Sequence, residues 1–508
     1  MKYKKVFIFL SLLFLHVSFF IFAREADETE SGQETQNGEL VEPESSSVTE
    51  ASLNDSPPEK AANEKTLEDT IAAEDDSRMR TIRFGTETEI SSLIQTLKNE
   101  NDSYLDEALI TLIQNTKNRN ILTGVFSFFG ERNKKGLEER AIRAIEERDE
   151  ETNATVIAAI DYLGKVNAES AVRPLMNLID LGEKRFSNPG FRALGRAGRD
   201  NKESDAAAAY LIDYYQNREP STENQREIVT AVGETGSNEG ISFLSDLVED
   251  EETRPVIRIA AIEALGKIGN TDGLPPIIGA ITAQDPNVRA AAVGALGPFQ
   301  SEEAGVAIIE AFRDSYYRTR LAAARAAKER KLAEAVPYLK FRTERDDVPV
   351  VRDEAIRALG EIGGEECMDF LETLFEERKN SDRTRILAVE MIINNDPDTY
   401  LEKLITEMDE AKQANQTSLY NGLLRVAGGA KTAKLETIAR RFLADGGVIE
   451  KSYALDMAIN NRLTSLEDAI RPLLDETKSG SLARKARTTL EKLGLSANPE
   501  RQRSEEAD

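Results

Sequence analysis

Four stretches carry the reading: Arg258-Ile-Ala-Ala-Ile-Glu-Ala-Leu-Gly-Lys-Ile-Gly269, Arg289-Ala-Ala-Ala-Val-Gly-Ala-Leu-Gly297, Arg320-Leu-Ala-Ala-Ala-Arg-Ala-Ala327 and Arg352-Asp-Glu-Ala-Ile-Arg-Ala-Leu-Gly-Glu-Ile-Gly363. They say nearly the same thing four times. Their leading arginines stand 31, 31 and 32 residues apart, and Arg385 opens a weaker fifth copy 33 residues on. Self-similarity at a fixed period of this size marks a stack of repeats and outranks any local motif. After a short turn each copy is followed by a second helical pattern, over 274–282, 304–313, 333–342 and 367–376. The unit is a pair of helices that hides its apolar stripe only against its neighbours. The expected fold is all-α: a right-handed α-solenoid of about 12 antiparallel helix pairs.

Within each first helix, apolar residues recur at the helical period: Ile259, Ile262 and Leu265; Ala290, Val293 and Leu296; Ile356, Leu359 and Ile362. Such spacing puts one stripe on one face, and the alanines between let helices approach closely. Gly266, Gly297 and Gly360 follow the last apolar residue and read as left-handed C-terminal caps. Pro255, Pro286 and Pro349 stand three residues before an arginine, at a helix start, where a missing N–H does no harm. Asp285 reads as an N-cap.

The arginine column Arg258, Arg289, Arg320 and Arg352 could be an anion-binding ladder. The opposing reading pairs each with a cap or inter-helix carboxylate (Asp285, Asp314, Asp347 or Asp382) and makes the column an inter-repeat clamp. A net charge of −26, from 65 Lys and Arg against 91 Asp and Glu, favours the clamp.

At these residues the chain resembles the HEAT-repeat family, in its short bacterial form also described as phycobilisome-lyase HEAT-like repeats. The hallmark is a turn with Asp and Pro, then Val-Arg, then an Ala-rich helix ending Ala-Leu-Gly. It stands here from Asp285 to Gly297 and from Val350 to Gly363. Clear copies cover roughly a third of the chain and degenerate ones most of the rest. The resemblance implies a protein-binding scaffold, with a bilin-lyase-like enzyme or accessory factor as the alternative. Tetratricopeptide repeats are excluded by the absence of Trp, and ankyrin repeats by the absence of a Thr-Pro-Leu-His signature.

Composition narrows the chemistry. Phe, Tyr and Trp make up 6% of the chain, as suits helices packed through Ala and Leu. Cys367 is the single cysteine, so neither an internal disulfide nor a thiolate metal cluster is available. His16 is the single histidine and lies in the N-terminal apolar segment. Without another, no Ser-His-Asp or Cys-His nucleophile system and no imidazole metal site can be assembled. Deoxyhypusine hydroxylase, a HEAT-like enzyme, holds iron with His-Glu pairs that this sequence lacks. No cofactor and no metal site is expected.

In chain order, the basic start Met1-Lys-Tyr-Lys-Lys5 and the apolar run 6–23 read as a secretory signal or retained anchor. Cleavage after Ala23 fits, although Ile21 is large for its place. The expected location is exported, in the periplasm or cell envelope, held to the inner membrane if residues 6–23 stay in place. Residues 24–85 read as a disordered acidic linker, since positions 24–83 hold 17 Asp and Glu against 6 Lys and Arg. Degenerate repeats follow over 86–250, regular ones over 251–395, looser ones over 396–496, and a polar tail over 497–508.

Two aromatic clusters stand out as possible contacts for a protein partner. Val125, Phe126, Phe128 and Phe129 are either a docking patch or, the favoured reading, packing for the first repeats. Tyr210, Tyr214 and Tyr215 form a ridge on one second helix, and Tyr is a common interface anchor. A half-buried face is the commoner fate of such a ridge. Glu365-Glu366 and Glu376-Glu377 read as solvated charge. No phosphate-binding glycine loop and no EF-hand spacing occurs. The functional expectation is a non-enzymatic scaffold, with no nucleic-acid partner, binding another envelope protein through a concave face lined by the second helices.

Overall fold

Pro255, Pro286 and Pro349 begin the helices Pro255–Ile268, Pro286–Ala295 and Pro349–Ile362. Asp285 caps the second of these, its carboxylate accepting from the N–H groups of Asn287 and Val288. The computed structural model describes residues 77–100, 103–474 and 480–495. Among the described residues there are 26 α-helices and no strand, so the all-α solenoid read from the repeat is the fold. The leader at 1–23, the acidic segment up to residue 76 and the tail at 497–508 lie outside the described residues. Folded structure starts earlier than residue 86: positions 77–84 are helical, and Ile82 is buried.

The helices form two rows. Every first helix packs lengthwise on the first helices before and after it, from Glu87–Glu100 to Gly480–Lys492. Second helices touch one another over far fewer residues. The pairing also differs from the sequence reading. Each second helix packs more fully on the first helix that follows it than on the one before: Val336–Arg345 lies along Pro349–Ile362, and Glu365–Glu376 along Asp382–Asn395. The structural pair is therefore a second helix, the Asp/Pro turn, and the next first helix.

Glycine explains why the first-helix row is the tight one. Gly266 is not a C-cap; it lies inside its helix, and the left-handed residue is Gly269, with φ of 70°. Gly360 likewise lies inside Pro349–Ile362, and Gly297 does not have a positive φ. A Cβ on Gly266 would sit 2.9 Å from the Cβ of Ala295 on the next first helix. On Gly233 it would sit 2.6 Å from the Cα of Ala264. Absence of a side chain, not freedom of φ, is what the Ala-Leu-Gly motif supplies.

The arginine column joins the pairs. Arg289 donates through Nη1 to the carbonyls of Ala283 and Gln284, and through Nε and Nη2 to Asp314 at 2.7 and 3.1 Å. Arg320 repeats the pattern, with Nη1 on Asp314 and Ser315 carbonyls and Nε and Nη2 on Asp346 at 2.7 and 2.8 Å. A further bond from Arg320 reaches the exposed Asp347 at 2.8 Å. Arg258, Arg352 and Arg385 reach back to the carbonyls of Val248, Asp346 and Phe375. Each guanidinium thus caps the carboxyl end of the preceding second helix, where orphan carbonyls and the helix dipole favour a cation. Asp346, missed in the sequence, is the buried partner. Burial acts to raise its carboxyl, but the bonds from Arg320 and the Val348 N–H outweigh that and hold it low. Asp285 serves only as a cap.

A second anchored carboxylate steadies the C-terminal repeats. Glu450 accepts from Lys412, the Tyr420 hydroxyl and the Gly447 N–H. Desolvation opposes ionisation there, yet these three donors hold the group at about 2, against an ordinary 4.5.

Three outcomes are expected in urea unfolding and hydrogen exchange. Gly266→Val destabilises its repeats by about 1–3 kcal/mol through the clash with Ala295. Gly294→Ala, whose Cβ meets nothing within 4 Å, is neutral or stabilising by up to about 1 kcal/mol. Equal effects would contradict the packing role. Arg320→Ala, which removes both guanidinium bonds from buried Asp346 and leaves it Arg342 at 3.6 Å, costs about 2–4 kcal/mol; Arg352→Ala, which loses one bond to a carbonyl, costs about 1–2 kcal/mol. For Glu450 the folded-state value is depressed, so its contribution is full above about pH 4.5 and fades as pH falls toward 2. Glu450→Gln loses about 2 kcal/mol at pH 7, after allowance for exposed Lys412, and the gap to wild type closes at acid pH.

Candidate functional site

The first helices Pro255–Ile268, Pro286–Ala295 and Tyr317–Arg330 lie side by side and in register, because they descend from positions 31 residues apart. The middle helix has 10 residues against 14 on either side, and its outward positions are small: Ala290, Ala291 and Gly294. At the places of Ala290 and Gly294 the outer two helices carry larger groups: Ile259 and Leu321, and Glu263 and Arg325. The result is an open trough of about 1150 Å³, floored by the middle helix and walled by its neighbours.

Equivalent positions cross the trough in rows. Ile259, Ala290 and Leu321 make an apolar row, with Val256 and Val350, 43% and 40% exposed, at its mouth. One turn further along, Glu263, Gly294 and Arg325 hold the next row of equivalent places, an acid on one wall and a base on the other. Among the described residues neither Glu263 nor Arg325 has a hydrogen-bond or ion-pair partner. Desolvation by the trough wall lifts the Glu263 carboxyl above its ordinary range, and Arg226 pulls it down only in part. Of the other charges here, Lys267 pairs with Glu234 and Arg318 donates to the Tyr317 hydroxyl at 3.2 Å, while Glu329 has no hydrogen-bond or ion-pair partner among the described residues.

The residues singled out in the sequence lie elsewhere. Phe126, Phe128 and Phe129 are at most 1% exposed, with Phe126 stacked on Tyr162, so they offer no docking surface. The tyrosine ridge is half-buried, and each ring is engaged. Tyr210 donates to Asp180 at 2.8 Å and to the Met176 carbonyl; Tyr214 meets Phe191 edge-on at 5.0 Å; Tyr215 meets Phe243 at 5.1 Å. It is a packing seam between repeats, because an aromatic ring gains more from neighbouring rings than from water. Arg258, Arg289, Arg320 and Arg352 hold helix ends. Cys367 is buried and its thiol is raised by desolvation. Glu366 and Glu376 pair with Lys340 and Lys403 at the surface.

What the sequence reading missed is Val256, Ile259, Glu263, Gly294, Leu321, Arg325 and Val350. A usable signal existed. At positions 263, 294 and 325 the repeat carries Glu, Gly and Arg, whereas the buried positions 262, 293 and 324 stay apolar. Variation at a fixed register place marks an outward position. A second, smaller cavity of about 530 Å³ lies beside Val448 and Ile449, each 56% exposed, but its polar groups Lys412, Tyr420 and Glu450 already bond one another.

Among the described residues no three His, Cys, Asp or Glu side chains gather to hold a metal ion, and no helix is long and apolar enough to cross a membrane. No curated protein matches the sequence. Among solved structures the chain is similar to a mutant of Kap121p, with 11% identity and a TM-score of 0.41, over 84% of this chain and 54% of that one. It is also similar to importin beta, with 14% identity and a TM-score of 0.36, over 85% of this chain and 71% of that one. This chain spans about half the length of the Kap121p chains it matches. Residues 82–489 match the family described as spirochaete HEAT repeat protein, and the chain belongs to that family.

Proposed function

We propose that the protein is an exported, non-enzymatic scaffold that holds another protein of the cell envelope in the trough of its first helices. The observation that carries this reading is the trough itself: an open, mainly apolar channel across three helices, with unpaired charge at one end. Catalysis by carboxylates needs two of them converging on one point. Here Glu263 and Glu329 stand on opposite walls, and Asp285 is committed to its cap. Export rests on the basic start and the apolar run at 6–23. The acidic stretch that follows suits a tether between membrane and solenoid, long enough at roughly 40–45 Å to clear the lipid surface.

A photo-reactive side chain at position 290 tests the reading in intact cells, with the same group at 341, an exposed second-helix site, as control. Cross-linking to one envelope protein from 290 and not from 341, lost on adding Gly294→Phe, is the expected result. Equal products from both sites would sink the trough as the contact. Fractionation checks location: recovery of the chain in the cytosol would discard export.

A further inference from the structure

We infer that the occupant of the trough is a short amphipathic helix of the partner protein, seated lengthwise over Pro286–Ala295, with an acidic and a basic side chain side by side at one end. This rests on the scaffold reading and names the ligand of the same site.

Three features select a helix. The trough is bounded by helices, whose backbone N–H and C=O groups are already paired along their length, so an extended strand would find no ladder to join. Walls two helix spacings apart, about 16–20 Å between axes, leave room for one further helix on the floor. The floor presents Ala290, Ala291 and Gly294, and a Cβ at Gly294 would meet nothing within 4 Å. Small residues on one helix are what allow a second to approach to packing distance. The 14-residue walls span about 20 Å, matching roughly four turns of guest.

Charge sets the rest of the requirement. Ile259 and Leu321 face each other across the floor, so that part of the guest is apolar. Glu263 and Arg325 hold equivalent places on the two walls one turn on, and among the described residues neither has a hydrogen-bond or ion-pair partner. Covering them with an apolar surface would strand two charges and weaken binding. A guest that sets a basic side chain against Glu263 and an acidic one against Arg325 satisfies both. The two walls then read the guest's rotation and register as well as its apolar face.

The test is a displayed library of helical peptides selected on the full chain, counter-selected on the chain carrying Gly294→Phe. The expected sequences repeat apolar residues at i, i+3, i+4 and i+7, followed by an adjacent acid and base. Selection on Arg325→Glu should replace the acid with Lys or Arg. The best wild-type peptide should lose at least tenfold in affinity for Arg325→Glu and regain it on the matching acid-to-Lys change. Binders without helical period, or acid retained on Arg325→Glu, overturn the inference. Self-association of the chain that Gly294→Phe abolishes would make a second copy the occupant, and also overturns it. These outcomes are separate from the cross-linking result. A partner cross-linked at 290 with no helical preference removes only the helix; no cross-link at 290 removes the scaffold reading.

Discussion

Close approach between consecutive first helices is the constraint on which this solenoid depends. At Gly233, Gly266 and Gly360 an added Cβ would fall within 2.6–2.9 Å of an atom on the next helix. Steric exclusion at that range is a hard limit. A repeat that keeps its glycine lets the next helix come close without a side chain between them; Tyr317–Arg330 has Lys328 at that place and pairs it with Glu354 on the next first helix. Apolar stripes such as Ile262, Leu265, Val293 and Leu296 are fully buried only because the helices are that close. Close contact and burial at these repeats therefore follow from one small residue on the facing side.

Directionality comes from the arginines. A stack of apolar stripes alone tolerates sliding by a turn, since Ala and Leu are interchangeable partners. Arg289 and Arg320 each fix two ends at once, bonding carbonyls behind and a carboxylate about 25 residues ahead. Such a group is satisfied in a single register. Guanidinium also offers enough donors to cap a helix end and pair with an acid simultaneously, which Lys cannot do. The chain's overall acidity sits largely outside this system.

The candidate site is a by-product of the same rule that builds the core. Small residues needed between helices also occur on the outward side of Pro286–Ala295, and there they leave a channel instead of a contact. Because the repeat is regular, walls and floor descend from the same positions. Substituting Ile, Glu, Leu or Arg at a place that is Ala or Gly one repeat away changes the surface without disturbing the stack. Recognition is thus written in the positions that packing leaves free.

The repeat of 31–33 residues by itself determined the helical class, the boundaries set by proline and Asp285, and the absence of histidine chemistry beyond His16. These are local or compositional facts, and period and residue type suffice for them. Tertiary structure decided the rest. That the Ala-Leu-Gly glycine serves contact and not a cap depends on an atom of the next repeat, as with Gly266 and Ala295. Likewise Asp346, not Asp285, receives the buried guanidinium because only the stack brings it to Arg320. Phe126 and Tyr214 are open between contact and packing in the sequence, with packing favoured, since a sequence reports that a ring exists while its neighbours exist only in three dimensions. That Glu263, Gly294 and Arg325 line one trough follows from the stacking of three helices, a property no single repeat possesses.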